Sequence, residues 1–352
     1  MQFLTLLFIF APWAVVFAQT FSGDSILANE RSIDRPITLH AGQFRVTGGY
    51  GLTIISRRYD ANGQVTELND EGLSSVRHRF TVDLKYGVND FIQFNAAISK
   101  SSNVVREQTR YIFPIDPEPV VVHDILHEYA GLEDLSLGLD LRAPLNTRKI
   151  DIALTLGATL PVARFEAKKP DHSFESLQEG GANMHQFTYR YHYPLGKGIT
   201  VAQLGGMVKY RAAKWALATR VDYQHGLKDG TSLEWRHQLN DDGVFEYRQD
   251  PFMYRLADAF SWFAEAEYQP LPWFDLFVNL SGYHASNGWT TTAEDLKIAL
   301  PDQSLMRLSP GFEIIVTPRL WLRERLNFSL SGKNHEAPFG FETTVMYNLF
   351  PF

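Results

Sequence analysis

The sequence predicts an all-β protein, a transmembrane antiparallel up-and-down β-barrel of about twelve strands, fourteen if two further segments count. Three observations predict it. Apolar and polar residues alternate over runs of about 10–13 residues, the tilted length that crosses a bilayer. Very short turns alternate with long connections, as short periplasmic turns do with long outer loops. Aromatic residues crowd the ends of the runs, where amphipathic rings suit a lipid–water boundary.

The chain begins with Met1 to Ala18, apolar and uncharged, closing on Val16-Phe17-Ala18. This reads as a secretory signal peptide over 1–18. The formal charge of the 352 residues is −7, and it is unchanged by the loss of that segment. The polar stretch 19–37 is expected to be a periplasmic tail or a plug tucked into the barrel, the tail being the favoured reading. Residues 38–352 form the expected outer-membrane barrel. Composition excludes other classes. With no Cys there are no disulfides, thiolate metal sites or thiol catalysis. The acidic balance argues against nucleic acid as a partner. Beyond the leader no stretch reaches the roughly 18 apolar residues of a spanning helix.

Strands follow in order from period two, because successive side chains of a strand point to opposite faces. The first is expected over 38–57. In 74–88, Val76, His78, Phe80, Val82, Leu84 and Tyr86 alternate with Arg77, Arg79, Thr81, Asp83 and Lys85. Asn89-Asp90 then turns the chain into 91–102. Four leucines, Leu135 to Leu141, mark 133–143, and Ile150 to Leu160 mark 150–161. Further strands are read at 200–211, 214–226, 259–269, 273–285, 306–316, 319–331 and 339–350. Residues 185–193 and 231–237 are the two ambiguous segments. Such a sheet must close, since backbone groups in hydrocarbon need partners. One conflict stands out. Glu324 shares a face with Leu320, Leu322, Leu326 and Phe328, so either a bulge intervenes or Glu324 lies near the periplasmic rim.

The opposite face carries the candidate site. Arg77, Arg79, Asp83, Lys85, Arg220, Asp222, Glu265, Glu267, Glu313, Arg323 and Arg325 are expected to line the lumen. They would form a hydrated path whose charges select solutes, or a salt-bridge network that fills the interior and only stabilises it. Arg323 and Arg325 against Glu313 and Glu342 read as cross-strand pairs. A rim hydrolase using His123-Asp124 or Asp241-Asp242 is a weaker alternative. His123, His127 and Glu128 have the spacing of a metal site only on a helix, which the segment does not suggest. No phosphate or dinucleotide fingerprint is present, and no cofactor is expected.

Several stretches resemble the outer-membrane "MetA-pathway of phenol degradation" family: Arg58 to Gln64, Leu84 to Asp90, Gly131 to Gly138, Gly157 to Pro161, and the tail from Ser309 through Lys333 to Phe350. The family's usual Thr-Gly after Leu-Pro is Val162-Ala163 here. The resemblance implies an outer-membrane barrel that passes small, often aromatic or hydrophobic, molecules. Phe352 resembles the terminal aromatic that barrel-assembly machinery reads. The expected partners are therefore outer-membrane lipid, that machinery and a small-molecule solute. A non-transporting structural or adhesion barrel is the main rival.

Overall fold

The computed structural model describes residues 35–68, 73–112, 120–145, 147, 149–163, 168–179, 182–193, 195–239, 245–291 and 296–349. The signal peptide, most of the 19–37 stretch, Asp241, Asp242 and Phe352 lie outside the described residues. In chain order the strands are β1 (Phe44–Ile55), β2 (Arg57–Tyr59), β3 (Val65–Glu67), β4 (Leu73–Asn89), β5 (Ile92–Ile112), β6 (Val120–Leu132), β7 (Leu135–Arg142), β8 (Ile150–Leu160), β9 (Lys168–Glu179), β10 (Ala182–Tyr193) and β11 (Val201–Arg211). They continue as β12 (Trp215–Gly226), β13 (Gly230–Leu239), β14 (Phe245–Arg255), β15 (Asp258–Leu271), β16 (Phe274–Ser286), β17 (Trp289–Thr291), β18 (Lys297–Ala299), β19 (Gln303–Ile315), β20 (Leu320–Lys333), β21 (His335–Glu336) and β22 (Phe339–Leu349).

Twelve of these close into an antiparallel barrel in the order β1, β4, β5, β7, β8, β11, β12, β15, β16, β19, β20, β22. The seam pairs the first strand with the last, from Phe44↔Leu349 to Ile54↔Phe339. The ring thereby has no open edge. Local chemistry makes the short turns. Asn89 Oδ1 accepts the Phe91 amide at 2.8 Å. Thr317 Oγ1 accepts the amides of Arg319 and Leu320 at 3.2 and 2.9 Å. Side-chain acceptors of this kind replace ladder bonds where the chain reverses.

Burial is inverted relative to a water-soluble domain. Phe80, Leu204 and Leu217 stand outward and exposed, whereas Asp151, Asp275, Glu313 and Asn348 are buried inside. That belt suits lipid, where burial of apolar side chains against water is not needed. Glu324 is on this outer face. No register shift occurs there; the shift on β19–β20 lies at Met306/Arg307. Nor does it sit at the rim: it lies in the row Glu324–Thr343–Tyr50–Phe80, inside the belt, where its carboxylate accepts Thr343 Oγ1 at 2.7 Å. His78, also outward, lies 2.9 Å from the Tyr50 hydroxyl.

Among the described residues the long connections are mostly strands that raise the wall, where the sequence suggests loops. β5 runs past the barrel to pair with β6, from Lys100↔Leu132 to Ile112↔Val120. β10 adds in parallel to β6, and β9 to β10. On another side β14, β17 and β18 rise with β13 as a separate sheet. Residues 185–193 and 231–237 are thus strands, but of these extensions, and the barrel count stays at twelve. Above the barrel both faces meet water, so strand formation there leaves no clean period-two signal.

The first strand is shorter than 38–57 suggests. At Gly42 (φ 74) the chain turns, and residues 35–41 leave the wall. Gly42 N donates to Gly87 O at 2.7 Å, and Gly87 N donates to Gln43 O at 2.9 Å. The crossing is close: a Cβ at Gly87 would meet His40 O at 2.2 Å. A glycine is required there because the strap's backbone occupies the space a side chain would fill.

Candidate functional site: the lumen and its strap

Residues 35–43 form a strap across the short-turn end of the barrel, held at Gly42 and Gln43 by backbone bonds to Gly87 and over 35–39 mainly by contacts that involve side chains. Leu39 N donates to Gln93 Oε1 on β5 at 2.9 Å, and Ile37 N to Asp151 Oδ2 on β8 at 3.2 Å. Thr38 Oγ1 donates to Asp90 O at 2.8 Å. At the far end, the Arg35 carbonyl accepts Arg211 Nη2 of β11 at 2.8 Å, while its guanidinium donates to Glu313 Oε1 of β19 at 2.9 Å. β11 and β19 stand well apart in the ring, so this one residue bridges the lumen. The guanidinium also lies over the Trp321 indole. A cation on an aromatic face away from water is worth ~2 kcal/mol.

Beneath and around the strap the charges interlock. Asp151 takes Arg211 and, at 2.8 Å, Arg142. Asp140 accepts Gln93, Asn95 and Thr155 at 2.9, 2.7 and 2.7 Å. Arg323 reaches Glu265 at 2.6 Å and Glu313 at 3.9 Å, with its guanidinium 3.8 Å from the Phe277 ring centroid. Gln43 and Arg45 both donate to Asn348 Oδ1, at 3.1 and 2.7 Å.

Toward the tall-wall end the inward charges meet water. Arg79 pairs with Glu133 at 2.6 Å, Arg77 with Glu336 at 3.6 Å and Arg325 with Glu342 at 2.6 Å. Their side chains are 53%, 41% and 36% exposed, against 2% for Asp151 and 3% for Glu313. These side chains share the inward strand positions with the buried ones, so the water that reaches them is in the barrel's interior. The lumen is therefore a wet vestibule narrowing onto a dry, charge-locked floor.

All eleven residues singled out from sequence occupy inward strand positions. Lys85 lies 3.5 Å from Asp83, and Arg220 binds Asp222 at 2.7 Å. Glu267 sits in the row Ala216–Glu267–Phe277. Glu313↔Arg323 and Arg325↔Glu342 are direct register partners, though Arg323 binds Glu265 more closely than Glu313. Sequence reasoning missed Arg35, Arg211 and Asn348. Trp321, an aromatic at a strand end, departs from the boundary placement expected of such residues: it is 2% exposed inside the barrel. Its parity with Arg323 and Arg325 carried that signal. His127 and Glu128, adjacent on β6, point to opposite faces, which disperses them as ligands. His127 Nδ1 lies 3.2 Å from the Tyr193 hydroxyl, and Glu128 lies 3.2 Å from His192.

Above the vestibule Asp134 anchors two connections, accepting the amides of Ala163 and Lys197 at 3.1 and 2.6 Å. Tyr254 of β14 donates its hydroxyl to Lys197 O at 2.5 Å. Burial, followed by the charge of Asp134, pushes that phenol up to about 12 from its ordinary 10.0. Burial also pushes the Lys197 ammonium down, against the pull of Asp134 and Glu133.

The fold is that of bacterial outer-membrane barrels. An outer membrane channel from Pseudomonas putida F1 superposes with a TM-score of 0.58 at 12% identity, over 89% of this chain and 97% of that one. The toluene transporter TbuX of Ralstonia pickettii gives 0.41 at 12% identity, over 89% and 90%. The monoaromatic hydrocarbon channel CymD gives 0.42 at 10%, over 89% of each chain. At these identities the likeness concerns the fold. No family model and no curated protein sequence matches the chain, so the resemblance to the phenol-degradation family extends no further than its motifs.

Proposed function

We propose that this chain is an outer-membrane channel for small molecules, closed at its periplasmic end by the strap of residues 35–43. The carrying observation is the gradient along the lumen, from water-exposed Arg79 and Arg77 to buried Asp151 and Glu313 under Arg35. A barrel that only needed filling gains nothing from leaving guanidinium pairs wet, because exposed pairs stabilise by ~0–1 kcal/mol. Short turns mark the periplasmic side of outer-membrane barrels, which puts the strap there. The strap is held by a few polar contacts and no ladder, so its release would open the floor without breaking the wall. Small aromatic or hydrophobic compounds are the solute class implied by the motif resemblance. Delivery through the 1–18 leader and assembly machinery, and transport rather than hydrolysis, belong to the same reading.

The test is conductance and liposome swelling with the full chain. Discrete channel events and solute-dependent swelling are expected. A sealed barrel, silent with the strap intact and with it loosened by Arg35→Ala, would overturn the reading in favour of a structural scaffold.

A further inference from the structure

On β1, Gly49 and Gly51 take the inward positions and place no side chain in the lumen. The space before them is open: a Cβ would find no atom nearer than 3.7 Å at Gly49 or 3.9 Å at Gly51. A bare lane therefore runs up this side of the barrel. Its flanks are set by register. Gly51 faces Arg79 on β4 and Glu342 on β22, and Glu342 faces Arg325 on β20. Arg77 stands one inward step farther up β4, and Arg307 lines the same side from β19.

The charge pairing along the lane is incomplete. Arg79, Arg77 and Arg325 each have a carboxylate, in Glu133, Glu336 and Glu342. The side chain of Arg307 makes no hydrogen bond or ion pair among the described residues, and the residue is exposed although it points inward. Its electrostatic neighbours are Arg325, which repels it, and Glu342, already bound to Arg325. Two guanidinium groups thus share one carboxylate beside an open lane. On the facing wall Arg220 is matched by Asp222.

We propose that this lane selects small organic anions, carboxylates in particular, with Arg307 and Arg325 as the selecting pair. The planar guanidinium fork matches a carboxylate in two parallel hydrogen bonds. The lane's exposure keeps each contact weak enough for release, as conduction requires. The inference rests on the channel reading above and names its solute class.

The experiment is the zero-current potential of the full chain in planar bilayers under a gradient of potassium chloride, then of potassium acetate, repeated with Arg35→Ala to loosen the strap. Preference for the anion over potassium is expected. Arg307→Gln should lower that preference roughly threefold, the effect of one unit charge about 7 Å from the path at the dielectric of water. Arg307→Lys should retain the preference for chloride over potassium but lose part of that for acetate, since an ammonium lacks the fork. The Arg307 side chain has no hydrogen-bonded or ion-paired partner among the described residues, so the barrel should fold in each variant, which the gel shift of the unheated protein checks. Conductance with no anion preference, or a preference that Arg307→Gln leaves unchanged, would overturn the anion proposal and leave the channel standing. Silence in every variant would overturn the channel reading and this proposal with it.

Discussion

Arg35→Ala should convert a mostly closed barrel into a frequently open one. The side chain joins a carboxylate that is 3% exposed and covers the Trp321 ring, and the residue's carbonyl holds Arg211. Breaking a buried ion pair costs about 3–5 kcal/mol when the remaining charge is stranded. Here Arg323, 3.9 Å from Glu313, remains to neutralise it, so the lower end applies. The carbonyl bond to Arg211 survives the substitution. A loss of about 3 kcal/mol in strap docking shifts the docked-to-released ratio roughly 100-fold, since each 1.4 kcal/mol is tenfold. Single-channel recording reads this as a rise in open time and in the share of large-conductance events. The thermal stability of the barrel itself should hardly move, because no ladder bond is lost. Unchanged open probability would refute the strap as the closing element. A collapse of the barrel would show instead that the strap is part of the wall's own stability.

Other expectations follow from the same geometry. Gly87→Ala places a Cβ where His40 O sits at 2.2 Å, and it should release the strap as Arg35→Ala does; faster proteolysis near His40 in a folded barrel would check it. Val82→Arg, on the outer belt, should cost ~2–4 kcal/mol of stability in lipid, read by urea unfolding in vesicles, whereas an inward Thr81→Arg should cost less. The Tyr254 bond to Lys197 O should hold below pH 10, the phenol's ordinary value, and weaken as pH rises toward about 12. A raised phenol pKa means that the folded state keeps the proton, so this stabilisation is complete at low pH and disappears on the alkaline side. Hydrogen exchange at Lys197 should report it, and Tyr254→Phe should remove the pH dependence.

Much of this protein was legible in one dimension. Runs such as Val76 to Tyr86 name both faces of a strand, because a bilayer outside and water inside impose opposite chemistry at every second residue. The same parity puts Arg77, Arg79, Glu313, Arg323 and Arg325 inside, and Trp321 with them. Where both faces meet one solvent the rule fails, as in β6, β9, β10 and β13, which rise above the belt and pair by register alone. The strap was beyond reach for a different reason. Ile37, Thr38 and Leu39 look like a strand's beginning, and nothing local says that their amides go to Asp151 and Gln93 instead of a neighbouring strand. The sequence by itself determined the closed sheet and which side chains turn inward, since those follow from spacing along the chain. Only the tertiary structure decided where the strap crosses the lumen, which arginine lacks a carboxylate among the described residues and where the glycine lane lies, because these depend on residues far apart in the chain meeting across the barrel.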